Sequence, residues 1–315
     1  MASLDTRSVQ HITVAEAESG QRLDNYLLRL IKHVPKTRLY KAIRKGEVRI
    51  NRGRAKPESR LEVGDEVRIP PFGAPAQDSV AVSRVPQSLQ ALLARQVVLD
   101  EKSLLVIDKP SGIAVHGGSG INFGLIETLR AMYPEGRYLE LVHRLDRDTS
   151  GLILLARKAA VLRDLHTQLR SDRVDKRYLA LVGGKWPAHL KLVTAPLEKF
   201  ALSSGERMVR VSPDGKSAKT EFRVIRRLPG ATLIEAKPIT GRTHQIRVHA
   251  RHAGFPILGD DKYANEKTER LTRECGLERL FLHAHSLKFS LSDERFALES
   301  PLPEELARVI ARLAQ

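Results

Sequence analysis

The segment His143-Arg144-Leu145-Asp146-Arg147-Asp148-Thr149-Ser150-Gly151 stands directly before an apolar run, Leu152-Ile153-Leu154-Leu155-Ala156. An apolar run of this length indicates a buried strand. Because a buried strand holds its neighbours rigidly, we expect the carboxylate of Asp146, at the mouth of the strand, to be fixed in position. Arg144 and Arg147 flank that carboxylate. Asp146 is therefore the residue whose role has to be explained.

The composition points to a polyanionic partner. The chain has 315 residues, enough for two domains or one large one, and its 53 Lys and Arg outnumber its 37 Asp and Glu. The formal charge of +16 and the isoelectric point near 10.1 favour a nucleic acid as that partner. Many proteins are basic without binding nucleic acid, so the distribution of the charge along the chain has to decide.

The single cysteine, Cys275, excludes an internal disulfide and a four-cysteine zinc site. This usage is typical of a protein of the reducing cytoplasm. No uncharged apolar run approaches the ~20 residues that span a bilayer, and no long apolar region follows the first residues. We therefore expect a soluble cytoplasmic protein that is neither exported nor inserted in a membrane.

The positive charge is concentrated near the front of the chain. Residues 21–70 contain nine Arg and five Lys against two Asp and four Glu, a net charge of +8. An amphipathic helix that ends at Pro35 is predicted from apolar residues at helical spacing, which are Leu23, Tyr26, Leu27, Leu30 and Ile31. A second helix is predicted between Thr37, as its N-cap, and Gly46. Its outward-facing basic residues, which are candidate RNA contacts, are Arg38, Lys41, Arg44 and Lys45.

After Gly46 the pattern changes to strands, predicted at residues 47–51, 61–63 and 66–70. Two helices followed by a small sheet resemble the RNA-binding domain named after the fourth small-subunit ribosomal protein. The proline-rich residues that follow indicate an interdomain linker. The predicted organisation is an N-terminal extension (1–19), a small basic RNA-binding domain (20–70), a linker (71–88) and a second domain (89–315).

Strands and helices alternate irregularly in the second domain, which favours a mixed α+β sheet. Residues 104–120 form a predicted strand, a Pro-Ser-Gly turn and a glycine-rich loop; we interpret them as structural because they match neither phosphate-binding glycine pattern. Further along, a helix with Leu162, Leu165 and Leu169 on one face leads to Tyr178, which opens another predicted buried strand. An aromatic residue at such a place usually belongs to the core.

A third segment, residues 241–254, predicts a helix capped by Thr243. Arg242 then lies at the helix N-terminus, where the helix dipole favours anions, and can hold a carboxylate or a phosphate. His244 and His249 are five residues apart and do not share a helix face, so we predict no metal site. The residues predicted to pack inward are Ile246, His249, Ala250 and Ala253.

Three motifs in this order closely resemble those of the RNA pseudouridine synthases of the RluA type. They are residues 143–151, residues 241–249 and Leu282-His283-Ala284. With the front domain, the resemblance covers nearly the whole chain. Residues 115–120 and 139–143 are most similar to members of the family that act on large-subunit (23S) ribosomal RNA.

The resemblance implies an α+β catalytic domain, with a large mixed, mostly antiparallel sheet and flanking helices around a central cleft, after the small RNA-binding domain. It implies that the enzyme isomerises specific uridines of 23S ribosomal RNA to pseudouridine, without metal or cofactor. By this resemblance Asp146 is the catalytic residue, Arg242 is its cationic partner, and Tyr178 stacks on the flipped-out base. We add Arg144 as a supporting residue, and we expect a monomer.

The chemistry leaves the route open. Attack of the carboxylate at C1′, its addition to C6 of the base, and removal of a ribose proton each require one ionised carboxylate. Each also requires the nucleotide to leave its stack, at a cost of a few kcal/mol.

Two other functions remain as alternatives. Residues 146–149 resemble the Asp-x-Asp-x-Thr loop of aspartyl-phosphate phosphatases, but the threonine comes one residue early, and residues 142–144 are not predicted to be a buried strand. A non-catalytic RNA-binding or ribosome-assembly protein would have the same charge pattern. The presence of every residue that catalysis needs favours the synthase.

Overall fold

The computed structural model describes residues 8–31, 34, 36–72, 85–117, 123–133, 138–202, 206–292 and 294–315. Its contacts divide the chain into two compact units, residues 1–84 and residues 85–315. The elements of the smaller unit are β1 (Gln10–Thr13), α1 (Leu23–Leu30), α2 (Lys36–Lys45), β2 (Arg49–Ile50), β3 (Gly53–Arg54) and β4 (Glu66–Ile69).

The larger unit contains the remaining elements. They are α3 (Gln87–Ala94), β5 (Val97–Asp100), β6 (Leu104–Lys109), α4 (Leu125–Met132), β7 (Glu140–Leu141), β8 (Ser150–Ala156), α5 (Ala159–Arg170), β9 (Asp175–Gly183), β10 (Leu192–Thr194), β11 (Leu197–Ala201), β12 (Arg207–Val211), β13 (Lys219–Leu228), β14 (Ala231–Pro238), α6 (Gln245–His252), α7 (Glu266–Glu274), β15 (Leu282–Leu291), β16 (Glu294–Glu299) and α8 (Glu304–Leu313). Helix α3 begins inside the predicted linker.

The smaller unit is a sheet in the order β1-β4-β2-β3 with two helices. Strand β1 pairs with β4, so part of the predicted N-terminal extension belongs to this sheet. The strand predicted at residues 61–63 is not formed. Leu61 is nevertheless fully buried and packs in the core with the apolar faces of α1 and α2. The apolar pattern at residues 61–63 therefore reflects the burial of Leu61 and not the pairing of a strand.

The basic side of α2 is exposed as predicted. Arg38, Lys41, Arg44 and Lys45 all face solvent, whereas Leu39 on the opposite side is fully buried. The helix begins at Lys36, so the predicted N-cap at Thr37 is wrong: Thr37 is already inside the helix. Pro35, the predicted end of the first helix, lies outside the described residues.

A large mixed sheet forms the centre of the larger unit, as predicted. The strand order is β10-β13-β14-β9-β15-β8-β6-β5, with β16 also paired to β15 and β7 to β8. Of the pairs along this sheet, β15 with β8 is parallel and the others are antiparallel. No helix within the described ranges is long and apolar enough to cross a membrane.

Strand β8 is buried along its whole length, which explains its continuous apolar sequence. Leu152 and Leu154 pack on one face of the sheet, in a cluster that includes Leu165 of α5. Ile153 and Leu155 pack on the other face, in the main core of the unit. A strand with a core on both faces is held rigidly. The segment directly before it is attached to this rigid strand and is therefore restricted in its motion.

Gly151 allows β8 and β15 to approach each other. Its φ is +109°, and a Cβ atom there would lie 2.3 Å from the carbonyl oxygen of Ala284. Both the backbone conformation and the space therefore require glycine. The glycine that ends the first motif and the Leu282-His283-Ala284 motif meet at this contact, where Ala284 pairs with Gly151.

We expect Gly151→Ala to destabilise the protein by at least about 2 kcal/mol, because the new methyl group clashes with backbone atoms that cannot move alone. The free energy of unfolding in urea measures the effect. Gly241→Ala is the matched control, since a Cβ atom there meets nothing within 4 Å. Equal stability of the two variants would contradict the role given to Gly151.

Candidate active site

Asp146 lies in the loop between β7 and β8, four residues before the first residue of β8. Its side chain is 27% exposed and faces a cleft of about 920 Å³. A volume of this size lies within the roughly 300–1,000 Å³ of ordinary ligand pockets. The carboxylate is therefore accessible to a bound molecule while its backbone is attached to a buried strand.

Lys109, at the end of β6, holds the loop that carries Asp146. The side chain is fully buried, and its Nζ donates hydrogen bonds of 2.9 Å to the carbonyl oxygens of Pro110, Ile113 and Arg147. Burial lowers the pKa of Lys109 to about 7. The three carbonyl acceptors match the three protons of the ammonium form, so we assign Lys109 as charged.

The sequence interpretation gave this segment only a general structural role and missed Lys109. Ser111 and Gly112 tie the same loop, since Ser111 Oγ donates to the carbonyl oxygen of Asp148 and the Gly112 amide donates to that of Arg147. A lysine that ends an apolar strand was the signal that could have identified it. The glycine-rich residues 118–120 lie outside the described residues.

Arg247 supplies the positive charge beside Asp146. Its Nη1 lies 3.8 Å from Asp146 Oδ2, and only 2% of the side chain is exposed. Nε and Nη2 donate to the two carboxylate oxygens of Asp260 at 2.8 and 2.6 Å, and Nη2 also donates to Asp261. Burial alone would lower the pKa of Arg247, but the bonds to Asp260 and the nearby carboxylates raise it above its ordinary value.

The predicted pairing of Arg242 with Asp146 is wrong. Arg242 is exposed, and its Nε donates to the carbonyl oxygen of Ser217, while the ion pair to Asp146 comes from Arg247. The reason is the start of α6: the helix begins at Gln245, so Arg242 lies in the preceding turn. Arg242 still lines the cleft, and a contact with the substrate stays a prediction for it.

Helix α6 differs from the prediction at both ends. His244 is its N-cap, with a left-handed backbone at φ 51°, so the predicted cap at Thr243 is wrong. Ala253 follows the helix and is only half-buried, whereas Ile246 and Ala250 are buried as predicted. The amide of Arg242, in the turn before the cap, donates to the side chain of Gln245.

His249 is fully buried and belongs to the core. Its Nδ1 lies 2.9 Å from Thr220 Oγ1, and its Nε2 lies 3.0 Å from the carbonyl oxygen of Ala195. Both ring nitrogens therefore have partners within the protein. The part of the chain that the structure describes contains no group of three or more His, Cys, Asp or Glu placed to hold a metal ion.

Tyr178 lines the same cleft as Asp146 and is 8% exposed. Strand β9 begins at Asp175, so Tyr178 lies inside the strand and does not open it. Burial, together with the negative charge of Asp146, raises the pKa of Tyr178. Its phenol is therefore neutral, and its backbone is held by strands on both sides, where Tyr178 pairs with Ala236 and Ala284.

The five remaining predicted contact residues, Arg144 and the four basic residues of α2, are all exposed, unlike Tyr178. Arg144 is exposed and lines the cleft beside Asp146, so its guanidinium can reach a bound molecule. In the smaller unit, three of the four predicted basic residues line a separate groove of about 450 Å³ together with Phe72; they are Arg38, Lys41 and Lys45.

His283 of the third motif holds the start of β8. It is fully buried, and its Nδ1 lies 2.9 Å from Ser150 Oγ, while Arg279 donates to the same oxygen at 2.7 Å. Ser300 Oγ donates its proton to Asp108 at 2.7 Å and so accepts from Nε2 of His283, which leaves Nδ1 to accept the proton of Ser150. His283 therefore stabilises the strand that follows the Asp146 loop. Of the three residues of this motif, Leu282 lines the cleft, whereas His283 and Ala284 do not.

Comparison with known proteins gives matches over both units. A family model described as RNA pseudouridylate synthase matches residues 103–252, and an S4 domain model matches residues 21–67. The chain is 50% identical over 310 residues to the ribosomal large subunit pseudouridine synthase C of Haemophilus influenzae, covering 98% of this chain and 96% of that protein. It is 51% identical over 313 residues to the protein of the same name from Escherichia coli K12, with 98% of each chain covered.

Two solved structures are also similar. The human RNA pseudouridylate synthase domain containing 4 is 29% identical with a TM-score of 0.59, covering 72% of this chain and 95% of that one. The human RNA pseudouridylate synthase domain containing 1 is 25% identical with a TM-score of 0.56, covering 70% and 87% of the two chains.

We expect Arg247→Met to destabilise the protein by about 3–5 kcal/mol, because it leaves the buried Asp260 carboxylate without its cation. Arg242→Met is the matched control and should cost about 1 kcal/mol or less, since Arg242 is exposed and loses one bond to a backbone carbonyl. Urea unfolding of both variants measures the difference. A larger loss for Arg242→Met would contradict the assignment.

Proposed function

Because this chain belongs to the RNA pseudouridylate synthase family, we propose that it converts uridines of large-subunit ribosomal RNA to pseudouridine, with Asp146 as the catalytic carboxylate. The enzyme is an isomerase. The observation that carries the assignment of Asp146 is its place in the cleft: an accessible carboxylate 3.8 Å from a buried guanidinium, on a loop tied to a rigid strand.

The reaction needs no atom from outside the substrate. The bond between N1 of uracil and C1′ of the ribose breaks, the base rotates, and a bond forms between C5 and C1′. The proton on C5 is lost and N1 gains one, so the product has the composition of the substrate. Asp146 acts at the ribose or the base, and the buried guanidinium of Arg247, 3.8 Å away, favours the ionised form of the carboxylate.

Tyr178 is proposed to stack on the extruded base. Its backbone is held by the strands beside it, and the buried residue lines the cleft together with Asp146. A nucleotide that leaves its stack loses base stacking, and an aromatic ring in the pocket offsets part of that loss. Arg144 and Arg242, both exposed at the cleft, are placed to contact the RNA near the flipped nucleotide.

The smaller unit is proposed to hold the RNA through phosphates. The basic side of α2 is exposed, and Arg38, Lys41 and Lys45 share a groove with the ring of Phe72. Contacts of this kind are independent of sequence and weaken with salt. Selection among uridines then depends on the shape of the RNA.

The remaining proposals concern the setting of the enzyme. The net charge of +16 suits an RNA partner. Two copies of the chain with this charge repel each other, which supports a monomer. The buried, unpaired Cys275 is compatible with a reducing cytoplasm, where ribosomal RNA is made. The reaction is proposed to proceed without a metal or cofactor.

The central test uses large-subunit RNA transcribed with uridine that carries tritium at C5, and follows the release of tritium to water. We expect release by the wild type and a loss of roughly 10⁴-fold or more in Asp146→Asn. Asp148→Asn is the matched control, since this half-buried carboxylate of the same loop accepts a bond from Arg147 at 3.0 Å and does not line the cleft. This control should keep its rate to within about threefold.

Three outcomes are distinguishable when small-subunit RNA is tested in the same way and RNA binding is measured alongside. Equal rates in the wild type and Asp146→Asn would mean that Asp146 is not the catalytic residue. Release from small-subunit RNA but not from large-subunit RNA would contradict the proposed substrate. No release from any ribosomal RNA, despite binding, would favour the non-catalytic RNA-binding protein.

A second test addresses the smaller unit. We expect replacement of all four basic residues of α2 by Gln to weaken RNA binding, and to lower the slope of log affinity against log salt by about one for each phosphate that the variant no longer binds. The matched control removes the same charge from exposed positions on α7 and α8, which are Lys267, Arg270, Arg273 and Arg308. Equal effects of the two sets would mean that α2 has no special part in RNA binding.

A further inference from the structure

His244 is the N-cap of α6 and has an unusual backbone. Its φ of 51° and ψ of 20° place it in the left-handed region, which residues with a side chain adopt rarely. No side chain caps the helix at this position. A strained conformation at the edge of a cleft marks a residue whose side-chain direction matters. The ring lines the cleft that also contains Asp146 and Tyr178.

Tyr263 fixes the orientation and the tautomer of the His244 ring. The hydroxyl of Tyr263 accepts a hydrogen bond of 3.0 Å from the amide of Val209 and lies 2.7 Å from Nδ1 of His244. Burial raises the pKa of Tyr263 to about 12, so the hydroxyl keeps its single proton. We assign that proton to the bond with Nδ1, because the oxygen already accepts from the amide of Val209 and the described residues offer the hydroxyl no other acceptor.

The proton of the neutral His244 ring is therefore on Nε2. Burial lowers the pKa of His244, even though the charge of Asp146 acts in the opposite direction. The ring is neutral at neutral pH and does not form an ion pair that would compete for Asp146. Nε2 has no hydrogen-bond partner among the described residues and is not one of the buried polar atoms left unpaired, so it opens into the cleft.

We propose that the Nε2 proton of His244 is donated in a hydrogen bond to a carbonyl oxygen of the extruded uracil, and that this bond stabilises the negative charge on the base in the transition state. The proposal rests on the proposed isomerase reaction. When the bond between N1 and C1′ breaks, its electron pair stays with the base and spreads over N1, O2 and O4. If Asp146 adds to C6 instead, the charge develops on O4.

His244 keeps its proton throughout and transfers none. It acts as a fixed donor, and its bond to a developing oxyanion becomes stronger than in solution where the bound base excludes water from the cleft. The C5 proton and the N1 proton are exchanged by other groups. Tyr263 is a positioning residue, because it touches the ring and not the substrate. The same turn also carries Asp260, which accepts the amide proton of Tyr263 at 3.0 Å and binds Arg247.

The test is a chemical double-mutant cycle with the full chain. Wild type and His244→Leu are each given large-subunit RNA fragments whose target uridine is unmodified, 2-thiolated or 4-thiolated, and the single-turnover rate is measured at saturating enzyme. Sulfur accepts hydrogen bonds poorly, so it removes the proposed bond from the substrate side. His244→Gln is the matched control, because its amide retains an N–H donor on a side chain of similar reach.

We expect His244→Leu to lower the single-turnover rate on the unmodified RNA by about 10²-fold, with RNA affinity unchanged to within about threefold. His244→Gln should recover at least part of that loss. One of the two thio substrates should slow the wild type but not His244→Leu, which identifies the oxygen that accepts the bond. Equal sulfur effects in both enzymes, for both thio substrates, would overturn the proposal.

A measurement on the wild type does not depend on the folding of any variant. The ¹⁵N shifts of the His244 ring should show a protonated Nε2 and an unprotonated Nδ1, and Tyr263→Phe should raise the fraction with the proton on Nδ1. A wild-type ring protonated on Nδ1 would also overturn the proposal. No turnover by the wild type on any RNA would contradict the isomerase function itself, which is a separate outcome.

Discussion

The buried guanidinium of Arg247 joins three segments of the catalytic unit. It belongs to α6, it donates two short hydrogen bonds to the two oxygens of the Asp260 carboxylate, and it reaches Asp146 at 3.8 Å. A guanidinium stays charged under all ordinary conditions, so its burial is tolerated only where carboxylates surround it. The same pairing that stabilises the turn after α6 therefore places a permanent positive charge beside Asp146.

The opposite side of the Asp146 loop is held by the sheet. Lys109 binds three carbonyl oxygens, one of them in the loop, and the parallel contact of β8 with β15 brings His283 under Ser150. These supports are buried and fully hydrogen-bonded, so the loop has few alternative conformations. Catalysis that depends on one carboxylate needs this rigidity, because a small displacement of the reacting oxygen lowers the rate strongly.

The site thus separates charges by depth. Arg247 and Lys109 are buried and serve the protein's own carboxylate and carbonyl groups, while Arg144 and Arg242 are exposed at the cleft and accessible to RNA. Between them, His244 and Tyr178 line the cleft as neutral groups. A base that carries negative charge for part of the reaction would meet the donor of His244 and the ring of Tyr178, and neither of these groups would neutralise the carboxylate of Asp146.

Local sequence alone determined the elements whose signal does not depend on distant residues. The apolar run of β8, the amphipathic α2 with its basic side, and the motif that places Asp146 before a buried strand were all readable, because period and composition directly report burial. Only the tertiary structure shows which arginine forms the ion pair with Asp146. That arginine is Arg247, whereas Arg242 donates to a backbone carbonyl. The tertiary structure also shows that Leu61 is buried without a strand, and that Lys109 and Tyr263 support the site from separate segments. Such choices depend on where a helix begins and which strands are neighbours, and those distances are set by packing between segments far apart in the chain.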